Sequence, residues 1–184
     1  MLKLLIPKGE QYDEGRNLFI YTEERTLKLE HSLYSLSLWE SKWKVPFIVE
    51  GKIANKTGEQ VLDYIKCMTL NRDEIPDETY SFLTNEMFNE IIKYVEDPMT
   101  ATTFSNRNVT SRNHVARNAQ FITSELIYSF MFSLNIPIEC EHWNLNRLLT
   151  VIRCCEENNK GPEKMTKQEV MDMHRKLNQQ RRKL

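Results

Sequence analysis

The hydrophobic pattern of this chain changes its period at Ser32, and this change constrains the fold more than any other feature. Upstream of Ser32, short apolar or alternating runs typical of β-strands occupy residues 2–6, 18–21 and 26–29. Downstream, apolar residues recur every three or four positions, which is the spacing of one helical face. The pattern therefore predicts a small N-terminal β element followed by helices.

Capping residues and prolines place the helices of the first half. Ser32 caps a helix over residues 32–43 that ends before Pro46. Thr57 opens a second helix that runs to Leu70, and a short third one starts at Pro76 and Asp77. Thr84 or Asn85 caps a fourth helix, which stops at 97–98 and whose predicted apolar face consists of Phe88, Ile91, Ile92 and Val95.

The sequence pattern of the second half predicts a buried central helix followed by an amphipathic helix. Residues 122–134 (ITSELIYSFMFSL) are apolar on nearly every side, which indicates burial in the core or against a partner. A following stripe places Leu149 at the centre of a core-facing helix, together with Leu145, Leu148, Ile152 and Cys155. Residues 99–113, rich in Thr, Ser and Asn, predict a loop or hairpin.

These elements predict an α+β fold that is predominantly α-helical, with about six helices. The 184 residues, 40% of them hydrophobic, suffice for one core. We expect one globular domain over 1–159, with a β-rich start (1–30) and a helical remainder (31–159). Residues 160–162 then form a linker, and a capping box at 166–169 opens a basic C-terminal helix in 160–184.

Charge is distributed unevenly along the chain, although the net charge is only −1. Residues 160–184 hold eight lysines and arginines against three acids, so the body before them is acidic. A basic tail binds phosphates or acidic surfaces, or it is a solvated helix end. Because no nucleic-acid-binding motif accompanies it, contact with a protein is favoured over contact with nucleic acid.

No arrangement of residues in the sequence predicts catalysis. The glycines form no phosphate-binding loop, and His31, His114, His142 and His174 stand apart from one another. Cys140 and Cys154 lie about 20 Å apart if they share one helix, too far for one metal ion. We expect a non-enzyme with no cofactor and no metal site, without a membrane span, and located in the cytoplasm.

Partner-binding residues are expected in three places. Trp39 and Trp43 lie one helical turn apart and either anchor a partner or pack in the core. Phe130 and Phe132 belong to the helix that is apolar on nearly every side. The basic tail supplies the remaining candidates, Arg175, Lys176, Arg181, Arg182 and Lys183. The partner is another protein or a second copy of this chain.

Several segments together resemble a widespread family of small tailed-bacteriophage proteins associated with tail genes. They are 29–33 (LEHSL), 39–43 (WESKW) with Pro46 and Phe47, 63–68 (DYIKCM), 98–104 (PMTATTF), 137–140 (PIEC) and 143–149 (WNLNRLL). The resemblance runs over most of the chain. It departs from the family pattern at 105–120, which is longer and richer in Asn and Arg.

The resemblance implies a tail assembly chaperone. Such a protein catalyses nothing; it binds the hydrophobic tape-measure protein and keeps it soluble in the infected bacterial cell while the tail tube assembles. Two alternatives stay open. The chain is a structural subunit of the virion, such as a tail or head completion protein, or it is a nucleic-acid-binding regulator.

Overall fold

The structure is a computed structural model that describes residues 1–15, 17–49, 52–53, 56–103 and 121–159, together with Met171 and Arg175. The fold is α+β and predominantly helical, with a small β element at the N-terminus, which confirms the predicted class. The predicted linker at 160–162 and the capping box at 166–169 lie outside the described residues, as do positions 104–120.

One long antiparallel hairpin forms the N-terminus. Its strands are β1 (Leu2–Ile6), β2 (Gly9–Asp13), β3 (Leu18–Thr22) and β4 (Arg25–Leu29), with β1 paired to β4 and β2 to β3. Three of these strands were predicted. Strand β2 was not predicted, because its sequence, GEQYD, is almost entirely polar and shows no alternation of apolar and polar residues. It forms a strand through its pairing with β3.

The next two helices begin where their caps predict. Helix α1 (Leu33–Trp43) starts from a capping box of Ser32 and Ser35, and helix α2 (Gly58–Met68) from one of Thr57 and Gln60. Between them, β5 (Ile48–Val49) pairs with β6 (Lys52–Ile53). After α2, the chain makes two 3-10 helices, Arg72–Glu74 and Asp77–Phe82; the second stands where a short helix was predicted.

Helix α3 (Asn85–Glu96) starts from Thr84, whose side chain accepts a hydrogen bond from the Met87 amide. The predicted apolar face is wrong at one position. Ile92 is 48% exposed, and the buried residues are Ile91, Tyr94 and Val95. Tyr94 is drawn inward because its hydroxyl donates to Glu30 at 2.6 Å.

The remaining elements complete the core. Strand β7 (Phe121–Ile122) pairs with β5 and leads into α4 (Ser124–Ser133), which is followed by the 3-10 helix Ile138–His142 and by α5 (Leu145–Asn159). The Leu145 amide donates to the carbonyl of His31 at 2.7 Å and so joins the starts of α5 and α1. Residues 99–103 form neither helix nor strand.

The core joins the hairpin to the helices. Its fully buried side chains come from β1 and β4 (Ile6, Leu27, Leu29), α1 (Leu33, Leu36, Trp39), α2 (Ile65, Met68), the second 3-10 helix (Tyr80), α4 (Ile127, Met131) and α5 (Leu145, Leu148). Leu149, the predicted centre of the α5 stripe, is only half-buried. The chain divides into two compact units, Met1–Ile152 and Arg153–Leu184. The predicted domain boundary after Asn159 stays a prediction.

Candidate functional site

Two helices carry apolar side chains on their outward faces as well as their inward ones. In α1, Leu33, Leu36 and Trp39 face the core, whereas Tyr34 and Leu38 are 44% and 41% exposed. The same holds for α4, where Ile127 and Met131 are fully buried and Phe132 is 65% exposed. By contrast, α2 and α3 confine most of their apolar residues to one side.

These two helices are neighbours, and Tyr128 of α4 lies near Ser37 and Tyr34 of α1. Helix α1 contacts both α4 and the 3-10 helix Ile138–His142. The Tyr34 ring lies 5.2 Å from the His142 ring, centroid to centroid. Tyr34 and Leu38, like Tyr128 and Phe132, are four residues apart and adjacent on their helices. We call this area the α1–α4 surface: Tyr34, Leu38, Tyr128, Phe132, Ile138 and Trp143.

Polar groups border the α1–α4 surface. The Tyr128 hydroxyl donates to Glu141 Oε2 at 2.6 Å, and burial together with this hydrogen bond raises the pKa of Tyr128 to about 12. Tyr128 is therefore a neutral donor at ordinary pH. The Arg147 guanidinium lies 5.2 Å from the centroid of the Trp143 ring. An apolar centre with a charged rim is the composition of a protein-binding surface.

The tryptophans of α1 are not part of this surface. Trp39 is fully buried and donates its indole N–H to the Gln60 carbonyl at 2.8 Å. The expectation that it contacts a partner is therefore wrong, and the core interpretation is correct. Trp43 is half-buried, with its N–H donating to Asp63 Oδ2 at 2.9 Å.

The other predicted binding residues have mixed outcomes. Phe132 is the most exposed apolar side chain of α4, and Phe130 is half-buried. Arg175 is exposed and has helical backbone. Lys176, Arg181, Arg182 and Lys183 lie outside the described residues, so their role stays a prediction.

An aromatic cluster fills the space between α1, α2 and β5. The Trp39 ring packs edge-on against Phe47 and Tyr64, with centroids 5.0 and 6.4 Å away. The Lys56 ammonium lies 4.7 Å from the Trp39 ring centroid and donates to the Pro46 carbonyl. Burial lowers the pKa of Lys56, while the nearby Glu40 opposes this shift.

The buried carboxyl group of Glu40 connects three elements. Its Oε1 accepts from the Phe47 amide at 2.9 Å, and its Oε2 accepts from the Ser124 amide at 2.7 Å. Because Ser124 is the first residue of α4, this side chain binds the positive end of that helix dipole. Glu40 therefore positions α4 beside α1.

A cavity of about 590 Å³ lies between the end of α3, the β5–β7 pairing and α5, with walls that include Phe47, Val95 and Leu149. His31 borders it and makes a 2.6 Å hydrogen bond through Nδ1 to the Tyr64 hydroxyl. Burial lowers the pKa of His31 to about 4, an effect that Glu30 opposes. Such a weak base is poorly suited to accept protons near neutral pH.

Within the described ranges, no three His, Cys, Asp or Glu side chains are grouped so as to hold a metal ion. Cys140 is buried, and Cys67, Cys154 and Cys155 are partly buried; all four are free thiols. None of the described helices is both long and apolar enough to cross a bilayer.

The sequence contains the spacing that places Tyr34 and Leu38 on a second apolar face of α1. They follow the helical spacing on the side of α1 opposite Leu33, Leu36 and Trp39, so a helix with two apolar faces could have been predicted from it.

Searches against models of protein families, curated proteins and solved structures gave no significant match.

Proposed function

We propose that this chain is a non-enzymatic binding protein of a tailed bacteriophage that acts as a tail assembly chaperone and holds the tape-measure protein. The observation that supports the proposal is the α1–α4 surface, where two neighbouring helices leave large apolar side chains uncovered within the described part of the chain. The resemblance of the sequence to phage tail proteins supplies the identity of the client.

The α1–α4 surface suits the apolar face of a client helix. Tyr34 and Leu38 lie in one row along α1, and Tyr128 and Phe132 lie in another along α4. Such rows can contact the side chains at positions i, i+3 and i+4 of an amphipathic client helix. Covering on the order of 400 Å² of apolar area contributes about 10 kcal/mol before the cost of association is subtracted. The expected result is moderate, reversible binding, which a chaperone requires because it must release its client.

The sharpest test is co-expression with the tape-measure protein of the same phage. Phe132→Ser and Leu38→Ser remove exposed apolar side chains from the α1–α4 surface. Ile92→Ser is the matched control, because Ile92 is 48% exposed on α3. We expect the client to be soluble and to co-purify with the wild type and with Ile92→Ser, and to aggregate with the two surface variants. Equal recovery of the client with all four proteins would refute the proposal.

A structural subunit of the virion is the second candidate, supported by the same surface if a neighbouring subunit or a second copy covers it. Mass spectrometry of purified virions separates the two functions. A chaperone acts in the host cytoplasm and is absent from mature particles, whereas a structural subunit is present at fixed stoichiometry. Nucleic-acid binding, the third candidate, would weaken steeply as salt rises.

A further inference from the structure

The cavity between the end of α3, the β5–β7 pairing and α5 has the size and the lining of a small-molecule site. Its volume of about 590 Å³ lies within the range of roughly 300–1,000 Å³ that is usual for pockets that hold small ligands. Phe47 and Val95 are buried, so part of the lining belongs to the core. The apolar residues of the lining are Phe47, Ile48, Val95, Pro98, Ile122 and Leu149.

Hydrogen bonds hold the walls of the cavity together. The Asn146 side chain, near the start of α5, donates through Nδ2 to the carbonyls of Val95 and Asp97, at 2.8 and 2.7 Å, and so ties α5 to the end of α3. Thr150 Oγ1 donates to the Asn146 carbonyl at 2.9 Å. Asn146 and Thr150 both line the cavity, and these bonds use the protons of both side chains. Neither side chain is left to donate to a ligand.

The buried side chain of His31 differs from these two. It is 3% exposed, and its Nδ1 is bonded to the Tyr64 hydroxyl at 2.6 Å, while its Nε2 has no hydrogen-bond partner among the described residues. Nε2 nevertheless reaches open space, because Nδ2 of Asn144 is the only fully enclosed side-chain nitrogen or oxygen without a partner in the described part of the chain. Since the open space that His31 borders is the cavity, Nε2 faces into it.

The Tyr64 hydroxyl determines which ring nitrogen of His31 carries the proton. Burial raises the pKa of Tyr64 and lowers the pKa of His31 to about 4, so both groups are neutral near pH 7. A phenol is a stronger acid than the N–H of a neutral imidazole and is the better donor, so Tyr64 donates to Nδ1. The imidazole proton then lies on Nε2, because the bond that one ring nitrogen makes sets the state of the other. His31 therefore presents an N–H to the cavity.

We infer that this cavity binds a small, neutral, mainly apolar molecule that carries a carbonyl oxygen. The carbonyl accepts from the Nε2–H of His31, and the carbon skeleton covers the apolar lining. An anion is disfavoured, because the described lining holds no lysine or arginine and includes the acidic Glu96. A cation brings no acceptor to the His31 N–H. The inference goes beyond the proposed function and does not rest on it, since the α1–α4 surface is built from other residues.

The test compares acetophenone with ethylbenzene, which differs from it by a CH₂ group in place of the carbonyl. Each compound is titrated into the full chain at pH 7, and binding is followed by NMR shifts of the residues that line the cavity. We expect acetophenone to bind with a Kd of about 0.1–1 mM. Ethylbenzene should bind on the order of tenfold more weakly, because it leaves the His31 N–H without an acceptor. Benzoate, the anion of similar shape, should also bind more weakly than acetophenone.

The ring of His31 gives a direct readout. Long-range ¹H–¹⁵N spectra show which ring nitrogen is protonated, and we expect Nε2. Added acetophenone should slow the exchange of the Nε2 proton with water on the order of tenfold, whereas ethylbenzene should not hydrogen-bond to it. A proton on Nδ1 would overturn the inference. So would an Nε2 proton that already exchanges slowly without any added compound, because the cavity would then be occupied.

A variant that fills the cavity locates the ligand. Leu149→Trp should abolish the binding of acetophenone, whereas Leu70→Trp, the matched control at a residue that is 59% exposed, should leave it unchanged. The comparison of acetophenone with ethylbenzene on the unaltered chain tests the inference even if Leu149→Trp does not fold. Equal binding of the two compounds, equal binding of benzoate, or no binding of acetophenone at about 10 mM would overturn the inference.

A surface variant separates this inference from the proposed function. Phe132→Ser should leave the binding of acetophenone unchanged while it abolishes the solubility of the co-expressed client. Loss of acetophenone binding in Phe132→Ser would place the compound on the α1–α4 surface and overturn the assignment to the cavity.

Discussion

Replacing Glu40 tests whether one buried side chain holds the α1–α4 pair together. Its two oxygens accept the amide protons of Phe47 and Ser124, at 2.9 and 2.7 Å. A hydrogen bond to a charged acceptor contributes about 1.5–3 kcal/mol, so Glu40→Ala, which leaves two buried donors unpaired, should cost about 3–6 kcal/mol. This is a large part of the roughly 5–15 kcal/mol that stabilises a typical domain.

Glu40→Gln should cost about half as much, because the amide keeps one acceptor oxygen and turns a donor toward the other N–H. The assay is urea unfolding followed by tryptophan fluorescence, for which the buried Trp39 is a reporter. Glu90→Gln is the control: Glu90 is exposed on α3, and its replacement should change the free energy of unfolding by less than about 0.5 kcal/mol.

Amide exchange provides the second readout. In both Glu40 variants, exchange at Phe47 and Ser124 should accelerate more than exchange in α3, since only these two amides lose their acceptor. A loss below about 1 kcal/mol in Glu40→Ala would refute the reasoning. Equal losses in Glu40→Ala and Glu40→Gln would show that the two oxygens do not divide the donors between them.

Two further predictions follow from burial. The pKa of His31 is about 4 in the folded chain and near 6.5 in the unfolded chain, so between these pH values the unfolded state binds one more proton. The free energy of unfolding should therefore fall by about 2 kcal/mol from pH 7 to pH 5. In urea unfolding, His31→Asn should lack this part of the pH dependence. Leu148→Ala should lower the free energy of unfolding by about 2–5 kcal/mol, because it leaves a cavity in the core. Leu149→Ala should lower it by only about 1–2 kcal/mol, because Leu149 already borders the 590 Å³ cavity. Equal losses in thermal or urea unfolding would contradict the burial of Leu148.

Elements with strong local signals could be predicted from the sequence. The helix starts at Ser32, Thr57 and Thr84 follow from side chains that bond to nearby amides, and such bonds need no distant partner. Strand β2 carries no such signal, because its conformation comes from pairing with β3. The error at Ile92 has a similar origin, since Tyr94 takes the inward position through a hydrogen bond to Glu30.

The candidate site was predicted only in part for the same reason. The composition of α4 indicated an uncovered apolar face, and Phe132 lies there. For α1, the tryptophans drew attention because tryptophan often anchors a partner, yet Trp39 packs against Phe47 and Tyr64 in the core. Which of two apolar faces is buried depends on the neighbours of a helix, and sequence periodicity does not report neighbours.

The α1–α4 surface has energetics that fit a reversible contact. Apolar area contributes a free energy that grows with the area covered and depends little on the sequence that covers it. The cost of association offsets much of that contribution. If a helix binds this surface, as we propose, it is therefore held without a fixed register, and it is displaced when another apolar surface covers it more completely.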